Sequence, residues 1–410
     1  MRHLQRGITA LAVVLVVGVA LALTAAYASR VAWLELQASG NRVRAAQATE
    51  AAQSGLAWGL ARLNDDHPVD NACRPVANGS TFRERYQGTS AMPSCALGDG
   101  TWSCRCPPPG ASVEPGTAAD TAYAAFALQL STAASGVATI ESIGCSGALT
   151  TLTTLTTLTT LTACTVPPGA DAPTGLRVTR AWTEVARIPA IDVRPAAAIT
   201  VRGTLQLRDG PIVIHRGIAS GGLTLHTGAH VDPGDARLVG PPGAPPLSTI
   251  VAGDAALASL DAAQFFASAF RMNVAAWRAQ PAARQLACAS PCDQALAQSL
   301  AAPGAPSLVW LDGGLHLDGP TELGSPERPV LLVVDGPVHL RGVVRIHGVL
   351  YLRAAGWRDD GGADIHGVLL AESDLLLSGP TRIDHDSGVV EHLQACCGTY
   401  ARVPGSWRDF

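Results

Sequence analysis

Apolar and polar positions fall into three regimes along the chain. Residues 8–29, ITALAVVLVVGVALALTAAYAS, carry no charge, with Arg2 and Arg6 before them and Arg30 after. At about 1.5 Å per residue this run forms a helix of roughly 33 Å, enough to cross a hydrocarbon core of about 30 Å. A cleaved secretory signal would be shorter and end in a small-residue cleavage site. Here the pattern continues past Arg30, and the first proline is Pro68, so one helix of about 55 residues is predicted. Its second half is amphipathic, with Leu56, Leu60 and Leu63 at i, i+4, i+7 beside an Ala-rich small face. Gly55 and Gly59 lie in that face, spaced to let the helix approach a neighbour closely.

Residues 65–115 are rich in Asn, Asp, Pro, Gly, Ser and Cys without clear periodicity, and read as a loop held by disulfides. Alternating, β-branched runs then predict strands over 123–130, 137–145 and 176–188. A helix laid across an antiparallel sheet of these strands buries the leucine face, which predicts an α+β first domain spanning 30–190. Within it, residues 149–162 repeat Leu-Thr-Thr. Period three fits neither a helix face nor strand alternation, so the repeat reads as an expanded loop.

From about residue 191 the pattern becomes short apolar strands punctuated by glycine. Val330, Val349 and Val368 recur at a spacing of 19, as do His347, His366 and His385. That spacing matches one coil of a parallel β-helix, in which equivalent residues stack, and predicts a mainly β domain over 191–410. A Gly-rich β-sandwich is the alternative. Residues 253–301 interrupt this domain with a largely helical insertion whose Phe265, Phe266, Phe270 and Trp277 form an apolar face, expected to dock on the β domain or cap its end.

Composition narrows the chemistry. The net charge of −4 leaves no basic field for nucleic acid. All 29 basic residues are arginine, which excludes Schiff-base lysines and a phosphate-binding loop lysine. Ten cysteines, all beyond the apolar run, point to an oxidising compartment. Their spacings do not match zinc sites, so disulfides are expected, with Cys145–Cys164 and Cys288–Cys292 as candidate pairs. A 19-residue coil would place His347, His366 and His385 in a column about 4.8 Å apart, near Asp364, Asp384 and Asp386. Such a column could take zinc or copper, but equivalent positions in a solenoid stack regardless, and a structural ladder is the favoured reading. The acidic pairs Asp359–Asp360 and Asp384–Asp386 suit sugar hydrolysis by residue type, yet Asp-Gly corners are ordinary turn chemistry. No catalytic residue, resident metal or cofactor is expected.

The N-terminal residues M-R-H-L-Q-R-G-I, the apolar run and N-R-V-R-A-A-Q-A-T-E-A-A together resemble the PilX family of type IV pilus assembly proteins, which are minor pilins. The resemblance implies that residues 1–7 are a leader cut between Gly7 and Ile8 by a prepilin peptidase. It further implies that residues 8–29, with Ala12, Gly18 and Ser29, are a single inner-membrane span, and that the C-terminal domain lies in the periplasm or on a pilus. Implied partners are major and minor pilins, the pilus assembly platform and a tip adhesin. Ala12 stands where major pilins usually carry a glutamate that pairs with a neighbouring amine, which suits a specialised subunit better than a repeating one. A type II secretion K-like minor pseudopilin and a membrane-anchored β-helix that binds or degrades polysaccharide are the other readings.

Overall fold

The computed structural model describes residues 2–65, 67–89, 91–98, 100–108, 124–132, 137–146, 177–218, 221–288, 292–301 and 308–409. The Leu-Thr-Thr repeat and Cys164 lie outside them, as do the surroundings of Gly7 and the side chains of Ile8 and Ala12.

One helix, α1 (Arg2–Leu63), runs unbroken for 62 residues. Pro68 and the polar residues after Leu63 end it. Its side chains are exposed along most of the first two thirds, and burial begins at Ala48. The segment of 65–115 read as loop contains more order than expected: a one-turn helix α2 (Phe82–Tyr86), opened by a Thr81–Glu84 capping box, and a hairpin of β1 (Ser94–Gly98) and β2 (Thr101–Arg105). Disulfides Cys73–Cys106 and Cys95–Cys104 tie these pieces together, the second directly across the hairpin. Elements this short carry too few residues to show a period. The hairpin adds to β3 (Ala124–Thr132), β4 (Val137–Ser146) and β5 (Arg177–Pro189) in an antiparallel sheet. Leu56 and Leu63 pack on it among Phe126, Leu128, Ile140 and Val185.

After β5 every strand pairing is parallel until the chain returns to this sheet. The first coil is β6 (Ala197–Val201), β7 (Leu205–Arg208) and β8 (Ile212–Ile214). The second is β9 (Leu223–Thr227), β10 (Val231–Asp232) and β11 (Arg237–Val239), followed by the short β12 (Ile250–Val251). Helices α3 (Ala255–Ala258), α4 (Ala262–Phe270) and α5 (Val274–Arg278) then carry the chain to the far end of the stack. There β13 (Ala283–Ala287) and α6 (Asp293–Ala301) begin a second winding. It continues through β14 (Leu308–Asp312), β15 (Leu315–Leu317), β16 (Thr321–Leu323), β17 (Val330–Asp335), β18 (Val338–Leu340), β19 (Val344–Leu352), β20 (Gly356–Asp359), β21 (Asp364–Ala371), β22 (Leu375–Ser378) and β23 (Arg382–Asp384). The last coil, β21–β23, stacks directly on the first, β6–β8. The chain therefore joins and leaves the stack at its middle, not at its ends.

The exit runs through α7 (Ser387–Cys396) to β24 (Gly398–Arg402) and β25 (Arg408–Asp409), both antiparallel to β5. Residues 398–409, placed with the C-terminal domain on sequence, thus complete the first sheet, and the parallel stack is inserted between two neighbouring strands of it. The Ala190 N–H donates to the Cys397 carbonyl at 3.0 Å where the two connections pass each other.

Runs such as VLLVVD and GVLLA are apolar on both faces because both are covered. Val309, Leu332, Leu350 and Leu369 form a column inside the stack. Trp310, Val333, Tyr351 and Leu370 point outward under Phe265, Phe266 and Phe270 of α4. The helical insertion divides its work: α4 and α5 cover this outer face, whereas Cys292, just before α6, and Leu296 within it enter the interior column and close one end.

Candidate functional site

Two regions hold the residues that the sequence singles out, the long helix with its seat and the histidine-bearing coils. On α1, Leu11, Val14, Val16, Leu21 and Leu23 are each more than 60% exposed, so a helix long and apolar enough to cross a membrane stands bare of protein along that length. The opposite end is seated tightly. Ala48, Ala51, Ala52, Gly55 and Gly59 face the sheet, and Gly144 of β4 lies under the helix backbone at Ala48 and Ala52. The Ser146 hydroxyl donates to the Arg44 carbonyl. Gly55 and Gly59 therefore serve helix-on-sheet packing, with Phe126 and Leu128 filling the space a side chain would need.

Asn64, just past the helix, bonds both main-chain groups of Tyr400: its Oδ1 accepts from the Tyr400 N–H at 2.7 Å, and its Nδ2 donates to the Tyr400 carbonyl at 3.0 Å. The side chain thus behaves as one residue of a neighbouring strand and covers part of the free edge of β24. A cleft of about 760 Å³ opens beside it, between the end of α1, β13 and β24, lined among others by Arg284, Tyr400 and Arg402. Replacing Asn64 by Leu removes both bonds, and about 1–3 kcal/mol of stability is expected to go with them. Chemical denaturation of Asn64→Leu against Asn64→Asp, which keeps one acceptor, measures this.

The histidine column does not form as expected. His347 and His366 are in register and stack at 4.8 Å between ring centroids, 11° from parallel. The next coil is one residue shorter, so His366 faces Asp384, and His385 stacks instead on His215 at 3.8 Å. The column is two separate pairs. His366 Nε2 lies 3.2 Å from Asp364, and His347 Nε2 lies 3.8 Å from Glu322. Parallel imidazoles direct their nitrogen lone pairs side by side instead of towards one point, a poor arrangement for a shared metal. Among the described residues no group of three or more His, Cys, Asp or Glu side chains is placed to hold a metal ion. Burial, then the neighbouring His366, holds the His347 pKa below the ordinary imidazole value.

The carboxylates are engaged in the fold. Asp359 is 2% exposed and accepts from Gly361, Gly362, Ala363 and Thr381. Asp360 is paired with Arg358 at 2.9 Å and His339 at 3.2 Å, and Asp384 with Arg382 at 2.9 Å. At another corner, Asp335, Arg353 and Glu372 occupy successive coils, and Arg353 bridges the two acids at 3.0 and 3.1 Å. Burial raises the Glu372 pKa, and the Tyr351 hydroxyl donates to it at 2.9 Å. Stacking would otherwise bring like charges together, and the alternation of sign removes that cost.

Cys288 and Cys292 form a disulfide that ties β13 to the start of α6. Cys145 is disulfide-bonded, and its proposed partner Cys164 lies outside the described residues. Sequence reasoning missed Asn64, Gly144 and His215. Asn after a long helix is a common stop signal, but its partner is 336 residues away.

No family model matches the chain, and no curated protein matches it. Among solved structures, the competence-associated pilin ComZ from Thermus thermophilus is similar at 12% identity over 90% of this chain and 97% of that one, with a TM-score of 0.22.

Proposed function

We propose that this protein is a membrane-anchored, type IV pilin-like subunit of the PilX kind, a minor pilin acting in pilus assembly without catalysis. The observation that carries this reading is the division of α1: an apolar half bare of protein, and a second half seated through small residues on an antiparallel sheet. In this reading the helix is held in the inner membrane, with the rest of the chain in the periplasm, and then leaves the bilayer to pack against other pilins. The inserted parallel strands form a β-solenoid carried outward. Its bulk, and Ala12 in place of a pairing carboxylate, suit a sparse or tip position in which the assembly platform and a tip adhesin are partners. The engagement of Asp359, Asp360 and Asp384 in turns and ion pairs supports a role other than sugar hydrolysis.

Processing tests the reading. Co-expression with a prepilin peptidase is expected to shorten the chain by residues 1–7, seen as a mass shift and a new N-terminal Ile8, and Gly7→Arg is expected to stop it. A chain that supports piliation with its first seven residues intact contradicts the proposal.

A further inference from the structure

The seam where the first and last coils meet joins strands about 170 residues apart and lies where the chain enters the stack from the first sheet and leaves it again. His215 follows β8 and His385 follows β23, one on each side of this seam, with rings 3.8 Å apart and 16° from parallel. His215 is fully buried. Its Nδ1 accepts from the Gly217 N–H at 3.2 Å, so a proton there would set two donors against each other. His385 touches both the first coil and the incoming segment. Its main-chain N–H donates to the Ile214 carbonyl at 2.8 Å, and its ring Nε2 lies 3.3 Å from the carbonyl of Pro195 on the incoming segment.

Neutral rings stack without electrostatic cost, whereas a charge on one is buried against the other and charges on both repel. The nearby charges are already committed. Asp384 pairs with Arg382, Asp386 accepts from the first N–H groups of α7, and Arg194 of the incoming segment pairs with Glu391 of α7 at 2.6 Å. Arg216 adjoins His215 and adds positive charge, while β21 contributes Asp364 and His366, which lie 3.2 Å from each other one coil away.

We propose that the His215–His385 stack is an acid-sensitive latch: neutral, it closes the seam between the first and last coils; protonated, it releases the segments that join the stack to the first sheet. The inference does not depend on the pilin reading. Burial, then His385, pushes the His215 pKa down to about 4, and burial also lowers that of His385. An opened seam returns both to the ordinary value near 6.5. The open state therefore binds more protons, and closure weakens as pH falls from about 6.5 towards 4, with no further loss below that.

Hydrogen exchange of the full chain in detergent, expressed as protection factors corrected for the intrinsic rate, tests this between pH 7 and 4.5. Peptides covering 194–201, 212–217 and 382–390 are expected to lose protection about 50- to 100-fold while β14 and β17 hold theirs. Equal loss in both regions, or none at the seam, overturns the proposal on the native protein alone. The double variant His215→Phe/His385→Phe keeps two stacked rings and removes their titration, so its seam is expected to be indifferent to acid. If it loses protection as the native seam does, carboxylates and not the histidines set the response, and the latch is refuted.

Discussion

Gly144→Ala is expected to unseat the long helix almost as completely as Gly144→Val. The added Cβ would fall on the Ala48 carbonyl oxygen and on the Ala52 nitrogen and Cα, all main-chain atoms of α1. A side-chain tip can swing aside, but a helical backbone yields only by lifting as a unit. Lifting exposes Leu56 and Leu63 and loosens their contacts with Phe126, Leu128 and Ile140. Overpacking of a core usually costs about 1–3 kcal/mol, and a clash against immovable atoms belongs at or above the top of that range. Limited proteolysis between α1 and β3, with denaturant unfolding of the detergent-solubilised chain, reads the outcome. An alanine variant within about 1 kcal/mol of the native protein would show that helix and sheet do not meet this closely. In a pilin-like subunit the same variants would sever the anchor from its cargo while leaving the apolar half of the helix intact.

Asp359→Ala should lower the stability of the parallel stack by about 4 kcal/mol. The carboxylate is 2% exposed and gathers three main-chain N–H groups at 2.7–2.9 Å and the Thr381 hydroxyl at 2.8 Å, and that hydroxyl in turn accepts from Trp357 Nε1 at 3.1 Å. Alanine leaves these donors buried and unpaired, at about 1–3 kcal/mol for each that water cannot reach. At 2–4 °C per kcal/mol for a region of this size, the melting temperature should fall by about 10 °C. Asp359→Asn keeps one acceptor oxygen and should lose roughly half as much. A melting temperature unchanged by alanine would mean that the turn finds other acceptors, and would reopen Asp359 as a candidate acid.

The parts of the fold that were legible in the sequence are those fixed by local pattern. A proline-free apolar run followed by i, i+4, i+7 leucines writes a helix directly, and alternation in VATIESIGC and LRVTRAWTEVARI writes β4 and β5. The 19-residue spacing was a true signal for some strand pairs and not for others: Val349 faces Val368 and Val338 faces Trp357, but Val330 faces Gly348, and His366 faces Asp384. Turns absorb one residue more or fewer without disturbing the stack, so a fixed period drifts out of register. That drift is why the expected histidine triplet became two pairs. The pairings of β24 with β5 and of β21 with β6 left no trace in the pattern, because each strand shows its own alternation and nothing of its partner's identity. Asn64 was hidden for the same reason.

The position of the attachment also sets how the stack can change over evolutionary time. Its two ends differ: one, finished by β13 and α6, meets β24, where the Ala282 N–H donates to the Thr399 hydroxyl, whereas the other, finished by the short β12, lies at the opposite end of the stack. A repeat unit duplicated or deleted at the β12 end leaves the junction at residues 190 and 397 where it is. Homologues are therefore expected to differ in coil number while conserving the geometry of the junction, much as a telescope lengthens on a fixed mount.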